Sequence, residues 1–316
     1  MGGMAKRILV VRPGALGDFV VSLPVIAGLR RLHPDARIEV LAKGRIASLA
    51  LGWADAAGDL DVADVAALYL AGAEPSASLA SFDLVVTWTP ALRQAFPGGT
   101  EIVTVPPLPP AGRAASRFFF ESVPLLRQAE FDVPRIIIPV EERAAAAAVL
   151  GANGIDAGRP LTAVHPGSGG RRKCWPPHRF AQLIRLLREA GRQAALIEGE
   201  ADAAAVSTVS REAGLPLPVL RGLGPRELAA VLAACRSFVG NDSGVSHVAA
   251  AAGTRVVAIF GPTDPVTWAP AGRNVTVVAA RIPCRPCGAT NPACPHLRCL
   301  EEIHAEDVGA AALAEG

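Results

Sequence analysis

Short runs of apolar and β-branched residues alternate with alanine- and leucine-rich stretches along nearly the whole chain. This alternation is typical of parallel sheets whose strands are joined by crossover helices. In the first half, the predicted strands are residues 7–12, 37–41, 83–88 and 101–105. In the second half, they are residues 161–165, 193–198, the neighbourhood of 219, 237–240 and 255–260. The sequence therefore predicts an α/β fold with doubly wound sheets.

Helices are predicted between these strands, where alanine and leucine dominate. The predicted helices are residues 19–33, 141–150, 177–190, a stretch from 201, 225–234 and 244–252. Residues 106–110 contain four prolines, so we predict a loop there, because proline cannot continue a helix or a central strand.

The 316 residues exceed what one hydrophobic core usually supports, so two domains are expected. Glycine and proline are dense in residues 151–160, as in a linker. We place the boundary there, giving Rossmann-like domains at residues 1–153 and 154–316, with the last helix free to return to the first domain. A doubly wound sheet binds its ligand at the carboxyl ends of its strands, so two domains facing across a central cleft would bring two ligands together.

Composition excludes several classes of protein. The surplus in the 51% of hydrophobic residues is mostly alanine, and we find no uncharged apolar run of about 18 residues that would span a membrane. Arg12 and Asp18 interrupt the apolar N-terminal region, so no signal peptide is predicted and a cytoplasmic location is expected. The net charge of +2 gives no field that favours a nucleic acid partner.

The first candidate site is the Arg-Pro-Gly-Ala-Leu-Gly-Asp loop at residues 12–18, between the first strand and the first helix. Gly14 and Gly17 permit a tight turn, and the helix start presents unpaired N–H groups. Asp18 could act as a general base on an acceptor hydroxyl. Alternatively, Asp18 only caps the helix. The spacing is not Gly-x-Gly-x-x-Gly, so it does not indicate a dinucleotide site.

A second loop, at residues 165–176, also follows a predicted strand and is rich in glycine. Arg171, Arg172 and Lys173 stand there beside Ser168. Cations combined with fixed backbone N–H donors suit a diphosphate. The alternative is a solvated basic loop. The loop lacks the Gly-Lys-Ser/Thr ending of a P-loop, so ATP hydrolysis is not indicated.

The third candidate is the strand end, turn and helix start at residues 240–249. Ser243, Gly244 and Ser246 would occupy the first turn, where N–H groups and the helix dipole bind phosphate oxygens. Asp242 would then lie beside the phosphates and the sugar. The alternative is an ordinary Asp or Ser N-cap, with His247 as an interior histidine whose hydrogen bonds are satisfied.

Four cysteines lie close together near the C-terminus, with the spacing Cys284-x2-Cys287-x6-Cys294-x4-Cys299. Four thiolates in a short segment can hold a tetrahedral zinc or iron ion, here in a structural role. The alternative is reduced thiols without a metal. Redox catalysis is not indicated, because neither pair precedes a helix in a thioredoxin-like context. Cys174 and Cys235 are isolated, and we interpret them as structural.

Taken together and in order, the loop motifs resemble those of the ADP-heptose:lipopolysaccharide heptosyltransferase family, glycosyltransferase family 9. The resemblance runs from about residue 7 to about residue 299. Its motifs are Pro13-Gly-Ala-Leu-Gly-Asp18 with Pro24, His165-Pro-Gly-Ser168 with Lys173 and Trp175-Pro176, Asn241-Asp-Ser-Gly-Val-Ser-His247, and Phe260-Gly-Pro-Thr263.

The resemblance implies a GT-B architecture and an inverting transfer from a nucleotide diphosphate sugar, ADP-heptose, without a divalent cation or other cofactor for catalysis. By matching motifs, Asp18 is the catalytic base and Lys173 a phosphate-binding lysine. The implied donor-binding loop consists of Asp242, Ser243, Gly244 and His247, and the stretches implied to line the nucleotide pocket contain Glu198, Gly199 and Gly222. Without a metal, Lys173 and the helix at Ser243 are suitable groups to stabilise the departing diphosphate.

The acceptor implied by the resemblance is the lipopolysaccharide inner core or a related glycolipid or oligosaccharide. The N-terminal half is short for a heptosyltransferase, which leaves the acceptor open. A basic stretch formed by Arg30, Arg31, Arg37, Lys43 and Arg45 could meet an anionic core, or could be a solvated face. A membrane-embedded acceptor would require peripheral contact with the inner membrane. The oligomeric state stays open.

Three other functions remain as alternatives. The donor could be a different nucleotide sugar, because the shared motifs mainly recognise diphosphate. A sugar-nucleotide epimerase would need an acid/base pair around the donor sugar and no acceptor pocket, and Asp18 in the N-terminal loop favours transfer instead. A non-catalytic sugar-nucleotide-binding protein would keep the pocket without the base, which the presence of both Asp18 and Lys173 disfavours.

Overall fold

The computed structural model describes residues 6–61, 81–94, 96, 98–288, 294 and 296–314. The chain divides into two compact units, Met1–Ile137 and Ile138–Gly316. This division falls earlier than the boundary predicted at residues 153/154. Helix Val140–Ala152 packs on helix Pro225–Ala233 of the second unit. Arg226 donates two hydrogen bonds to the Glu142 carboxylate, at 3.0 and 2.6 Å. Helix Val140–Ala152 therefore belongs with the second unit.

The first unit contains a five-stranded parallel sheet in the order β3-β2-β1-β4-β5. The strands are β1 Arg7–Val11, β2 Arg37–Ala42, β3 Ala56–Asp59, β4 Leu84–Thr87 and β5 Glu101–Thr104. In β1, Ile8 lies between Ile38 and Leu84 of the flanking strands. Four of its five residues are buried, as expected for a central parallel strand covered on both faces. The strand order reverses between β1 and β4.

The helices of the first unit are shorter than the sequence predicts. A single helix at residues 19–33 is predicted, but two form, Leu16–Val20 and Leu23–Leu32. Pro24 lacks the N–H that would bond to Val20, so the first helix cannot continue. Among the described residues of this unit there is a further helix, Ala115–Ser122, with 3₁₀ turns at Ile46–Ala50, Pro90–Gln94 and Pro124–Leu126.

The second unit contains a six-stranded parallel sheet in the order β11-β10-β9-β6-β7-β8. The strands are β6 Leu161–His165, β7 Gln193–Glu198, β8 Val219–Arg221, β9 Ser237–Asn241, β10 Arg255–Ile259 and β11 Val275–Val278. The strand order reverses between β6 and β9, which lie side by side at the centre. This is the strand order of a Rossmann-type sheet.

Helices cover both sheet faces of the second unit, in agreement with the α/β prediction. Besides those already named, they are Pro177–Glu189, Ala203–Ala213, Gly244–Ala251, Pro265–Trp268, Arg298–Glu301 and Ala305–Leu313, with a 3₁₀ turn at Arg171–Lys173. The last helix packs on Pro177–Glu189 and β10 of its own unit. Among the described residues, no helix has both the length and the apolarity needed to cross a membrane.

The core of the second unit extends to its C-terminal segment. Trp175 is buried and packs edge-on against Phe180, with ring centroids 4.9 Å apart. Its indole Nε1 donates a hydrogen bond to the Ile303 carbonyl at 3.1 Å. The loop that carries the predicted phosphate-binding residues is therefore anchored at Trp175.

Candidate active site

Two loops meet at the centre of the second sheet, where β6 and β9 end. His165 at the end of β6 is paired with Gly240 of β9. The loop after β6 therefore lies beside the turn after β9. Ligands of doubly wound sheets bind at this kind of position, at the carboxyl ends of the strands where the strand order reverses.

Asn241 holds these two loops together. Its buried side chain accepts a hydrogen bond from the Trp175 N–H at 2.9 Å. It also donates to the carbonyls of Pro166 and Gly167, at 2.9 and 3.1 Å. The sequence analysis gave Asn241 no role beyond its place in a motif, and an asparagine ending a buried strand was the available signal. Its amide fixes the backbone of the candidate phosphate loop.

Lys173 and Asp242 form an ion pair at this junction, with Nζ and Oδ2 separated by 3.2 Å. The Asp242 side chain is only 8% exposed. Thr263 donates a hydrogen bond to the same carboxylate oxygen at 2.7 Å, and Ser168 donates to the Asp242 carbonyl at 2.7 Å. The structure thus brings together three predicted site residues and adds Thr263, for which the sequence predicts no function.

The helix Gly244–Ala251 begins at this junction with Ser243 as its N-cap residue. The described contacts of Ser243 include no side-chain hydrogen bond that caps this helix. Its Oγ lies 3.4 Å from both His165 Nδ1 and Ser246 Oγ, while Ser246 donates to the Asn241 carbonyl at 2.6 Å. The first-turn N–H groups and the positive end of the helix dipole are thus suited to bind an anion. The alternative of an ordinary serine side-chain cap does not hold.

Of the predicted ligands, Arg172 has a structural partner and His247 is buried. Arg172 donates a hydrogen bond to the Cys294 carbonyl at 2.7 Å, which ties its guanidinium to the cysteine-containing segment. His247 is 6% exposed on the helix after Ser243. Both side chains thus contribute to the framework of the site as well as being candidates for ligand binding.

The residues predicted to line a nucleotide pocket lie at the neighbouring strand ends. Glu198 ends β7 and pairs with Arg221 at the end of β8, with 3.5 Å between Oε1 and Nε. Gly222 follows with φ of +70°, a backbone conformation that favours glycine. The Gly199 N–H donates to Asp202 at 3.1 Å. These groups continue the same sheet edge beyond β6.

In the first unit, Asp18 lies in the first helix after β1. Its Oδ2 accepts a hydrogen bond from the Ala15 N–H at 3.0 Å, so the predicted capping contact is present. The side chain nevertheless remains 38% exposed. Gly14 has φ of +122°, and a Cβ atom there would lie 3.0 Å from Asp18 Oδ2. The turn therefore requires glycine at this position, while Gly17 lies within the helix.

Arg12 fixes the loop that carries Asp18, a role that the sequence analysis missed. Its guanidinium donates to the Asp18 and Pro13 carbonyls, at 3.1 and 3.0 Å, and lies 3.9 Å from the Asp18 carboxylate. Its Cζ lies over the rings of Trp88 and Phe119, 4.9 and 5.2 Å from their centroids. Burial lowers the pKa of Arg12 to about 10, against the opposing effect of Asp18. Arg12 therefore stays charged at neutral pH.

Most of the predicted basic stretch is already paired within the first unit. Arg30 donates to three carbonyls and pairs with Asp55. Arg31 donates to the Glu130 carbonyl, and Arg37 pairs with Glu39. Lys43 and Arg45 are exposed. Lys43 and Arg45 are therefore the main residues of this stretch that could contact an anionic acceptor.

All six cysteines are free thiols, and in the cysteine-containing segment Cys284 is exposed while Cys299 is buried. The residues between Gly288 and Cys294 lie outside the described part. Within that part, no three Cys, His, Asp or Glu side chains are arranged to hold a metal ion. Burial raises the pKa of Cys299, and the other three cysteines raise it further. The backbone N–H groups of Cys287 and Gly288 donate hydrogen bonds to the Pro262 carbonyl at 3.0 and 2.9 Å, which places this segment beside Thr263.

Comparison with known proteins identifies the family of this chain. Residues 122–296, more than half of the chain, match the model of glycosyltransferase family 9 (heptosyltransferase). The chain belongs to this family. It is 35% identical to lipopolysaccharide heptosyltransferase 3 of Escherichia coli over 33% of this chain and 31% of the relative. It is 34% identical to lipopolysaccharide heptosyltransferase 2 of Salmonella typhimurium, over 38% and 36%. The matched segment thus spans about a third of these curated relatives' length.

Solved structures show that the likeness in fold extends over most of this chain. The structure of E. coli ADP-heptose LPS heptosyltransferase II gives a TM-score of 0.72 at 19% identity, over 96% of this chain and 97% of that chain. The iron-containing dodecameric glycosyltransferase TibC from enterotoxigenic E. coli gives 0.60 at 15% identity, over 97% and 75%. These likenesses confirm the predicted GT-B fold.

Proposed function

We propose that this member of glycosyltransferase family 9 transfers heptose from ADP-heptose to the lipopolysaccharide inner core or a related glycan, with inversion at the sugar carbon. The observation that carries the proposal is the Lys173–Asp242 pair beside a helix start without a side-chain cap, where the strand order reverses. Such a place binds phosphate groups. The relatives named as lipopolysaccharide heptosyltransferases support the choice of sugar and acceptor.

On the donor side, the chain must stabilise a departing diphosphate. As the bond between the sugar carbon and the phosphate oxygen breaks, negative charge grows on that oxygen. Lys173 can donate to the phosphate while it stays close to Asp242, because an ammonium group has three N–H donors. The first-turn N–H groups after Ser243 supply further donors, together with the helix dipole. These groups need no divalent cation for this step.

On the acceptor side, we assign the general base to Asp18. The acceptor oxygen attacks the sugar carbon from the face opposite the diphosphate, and its proton passes to the Asp18 carboxylate. A single displacement of this kind inverts the configuration. The assignment is supported by the exposure of the carboxylate and by the fixed loop around Arg12. The acceptor-binding role of the first unit belongs to the same proposal.

Calorimetric titration with ADP, UDP, GDP and ADP-heptose, without added divalent metal, tests the donor assignment. Selective binding of ADP and ADP-heptose supports it. A preference for UDP or GDP would retain the diphosphate site but replace the donor, and no binding of any nucleotide would overturn the proposal. Incubation with ADP-heptose alone tests the epimerase alternative, because an epimerase would change the sugar configuration without an acceptor.

We further propose that the four clustered cysteines hold a structural zinc or iron ion. Thiolates are preferred ligands of both metals. The spacing Cys284-x2-Cys287-x6-Cys294-x4-Cys299 supports the proposal, because it places four thiols in one short segment. Metal analysis of protein purified without chelators should give about one ion per chain, as expected for one four-thiolate site. Loss of that ion in Cys287→Ser is the expected companion result, and metal-free parent protein would contradict the proposal.

A lipid-linked acceptor also requires contact with a membrane, so we propose a peripheral association on the cytoplasmic side. Anionic lipid headgroups attract exposed cations such as Lys43 and Arg45. Co-sedimentation with vesicles that contain anionic lipid tests this association. Absence of binding at low salt would contradict it, since salt screening is then weakest.

A further inference from the structure

A line of buried polar side chains runs beneath the candidate phosphate site and is not used by the chemistry proposed above. Asp202 Oδ2 lies 2.8 Å from His165 Nε2. The other ring nitrogen, His165 Nδ1, lies 3.4 Å from Ser243 Oγ. The His165 side chain is 3% exposed and that of Asp202 is 11% exposed. The Asp202 carboxylate needs a partner because it is largely buried. The three side chains form a line that ends at Ser243, the N-cap residue of helix Gly244–Ala251.

The three residues come from three adjacent strand ends. His165 ends β6, Asp202 follows β7, and Ser243 follows β9, so the line crosses the place where the strand order reverses. Gly167 leaves room for it, because a Cβ atom there would lie 1.8 Å from Asp202 Oδ1. The absence of a side chain at Gly167 thus allows the Asp202 carboxylate to lie beneath the candidate phosphate loop.

Asp202 gives up an ordinary local interaction to make this contact. It is the N-cap residue of helix Ala203–Ala213, a position where aspartate usually accepts from the first turn. Among its described contacts, no such capping bond is formed. Its carboxylate accepts instead from Gly199 and His165. The hydrogen bond from His165 lowers the pKa of Asp202, with burial opposing, so the carboxylate stays ionised.

These contacts define the hydrogen-bond direction. An ionised carboxylate only accepts, so His165 Nε2 carries a proton. In the neutral ring, Nδ1 is then an acceptor, and the Ser243 hydroxyl donates to it. The hydroxyl is thereby held away from the first-turn N–H groups of its own helix, in keeping with the missing side-chain cap. A serine at this position would otherwise cap those N–H groups.

We propose that His165, held by Asp202, is a positioning residue that keeps Ser243 from capping its helix and so leaves the N–H groups open to the donor diphosphate. This inference rests on the proposed function of the donor site. When His165 is lost, the Ser243 hydroxyl turns to its own helix and competes with the phosphate oxygens. The penalty for nucleotide binding is therefore about the strength of a serine cap, or roughly tenfold in affinity.

The test is a double-mutant cycle measured as the Kd of ADP. His165→Phe should weaken ADP binding about tenfold, the value expected if a serine cap competes. Ser243→Ala in that background removes the competing hydroxyl, so His165→Phe/Ser243→Ala should bind ADP more tightly than His165→Phe alone. A merely structural role of His165 predicts no such rescue. A double variant as weak as, or weaker than, His165→Phe would overturn the inference.

Two further variants keep the test decisive. His165→Asn retains a polar group near the Nδ1 position and should bind ADP more tightly than His165→Phe. If His165→Phe does not fold, His165→Leu takes its place in the cycle, because leucine also offers no acceptor to the Ser243 hydroxyl. Thr162→Val is the matched control, because Thr162 makes a buried hydrogen bond to Ser237, 3.0 Å long, at the opposite end of β6. It should lower the Tm without changing the Kd of ADP.

Titration of the parent protein with ADP distinguishes a failure of the proposed function from a failure of the role of His165. If the parent fails to bind ADP or any other nucleoside diphosphate, the proposed function fails. If the parent binds but His165→Asn is as weak as His165→Phe and the double variant shows no rescue, only the role of His165 fails.

Discussion

Replacing Lys173 by methionine tests the proposed donor site quantitatively. Methionine keeps much of the side-chain volume but removes the ammonium group that lies 3.2 Å from the Asp242 carboxylate. We expect the affinity for ADP to fall for two reasons. The diphosphate loses a cationic donor, and it must also bind beside a carboxylate that no longer has its lysine partner.

General magnitudes, reduced for the exposure of the lysine, give the size of both effects. A hydrogen bond to a charged group contributes about 1.5–3 kcal/mol. A carboxylate roughly 6 Å from a phosphate charge costs about 3 kcal/mol at an effective dielectric constant of about 20, before screening. Because the lysine side chain is 21% exposed, water and salt reduce both effects. We therefore expect a total loss of about 2–3 kcal/mol, or about 30- to 150-fold in Kd.

The assay is calorimetric titration with ADP in the absence of divalent metal. The variant Lys173→Met/Asp242→Asn separates the two effects, because it removes the carboxylate charge together with the ammonium. It should bind ADP more tightly than Lys173→Met. Arg188→Met serves as a charge-matched control, because Arg188 is an exposed cation on helix Pro177–Glu189 of the same unit.

Three results would refute this reasoning. A Kd for Lys173→Met within about threefold of the parent would mean that Lys173 does not bind the diphosphate. A double variant as weak as Lys173→Met would mean that the Asp242 charge does not oppose the nucleotide. An equal loss in Arg188→Met would attribute the effect to the general field of the unit rather than to the ion pair.

Four further predictions follow from the contacts described above. Asp18→Asn should lower kcat by about a hundredfold or more while the Kd of ADP is retained, since only proton transfer is lost; an unchanged kcat would exclude Asp18 as the base. Arg12→Met should lower both Tm and kcat, because the Pro13 and Asp18 carbonyls lose their buried donor, and a folded variant with normal kcat would contradict its role. The folded-state pKa of Asp202 is lowered, so its stabilising contribution is complete above the unfolded value of about 3.9 and is lost as the pH falls through the lower folded value. Asp202→Asn should therefore flatten the acid side of the Tm profile, and an unaltered slope there would refute the assignment. Burial raises the pKa of Cys235 to about 12, so mass mapping after alkylation of chelator-treated, metal-free protein at about pH 8 should show Cys284 modified and Cys235 intact; equal rates would contradict this.

The fold was largely predictable because the central strands are buried on both faces. Strands Leu161–His165 and Gln193–Glu198 were predicted with their correct bounds, since each is a short apolar run that follows glycine, proline or arginine. Strand Ala56–Asp59 was missed because alanine and glycine have little β-propensity. It is a strand because it pairs with β2 at the sheet edge.

The candidate site was predictable only where a loop carries its own signal. The glycine-rich loops around Gly14 and Ser168 can be recognised in the sequence because each is a contiguous motif. The roles of Asn241 and Asp202 depend on partners far along the chain, with separations of 66 residues to Trp175 and 37 residues to His165. No local pattern encodes such a pair, because the strand order that joins them forms only in the folded sheet.

The contact between Gly167 and Asp202 also restricts the order in which this sequence can change during evolution. No side chain fits at position 167 while the carboxylate occupies the space beneath it. A mutation there displaces the Asp202 carboxylate or requires its replacement by a smaller residue, and either change removes the partner of His165. The most accessible path away from this arrangement therefore passes through a protein that has already lost the support beneath its phosphate loop. Natural selection on the proposed transfer activity would then tend to retain the glycine and the aspartate together.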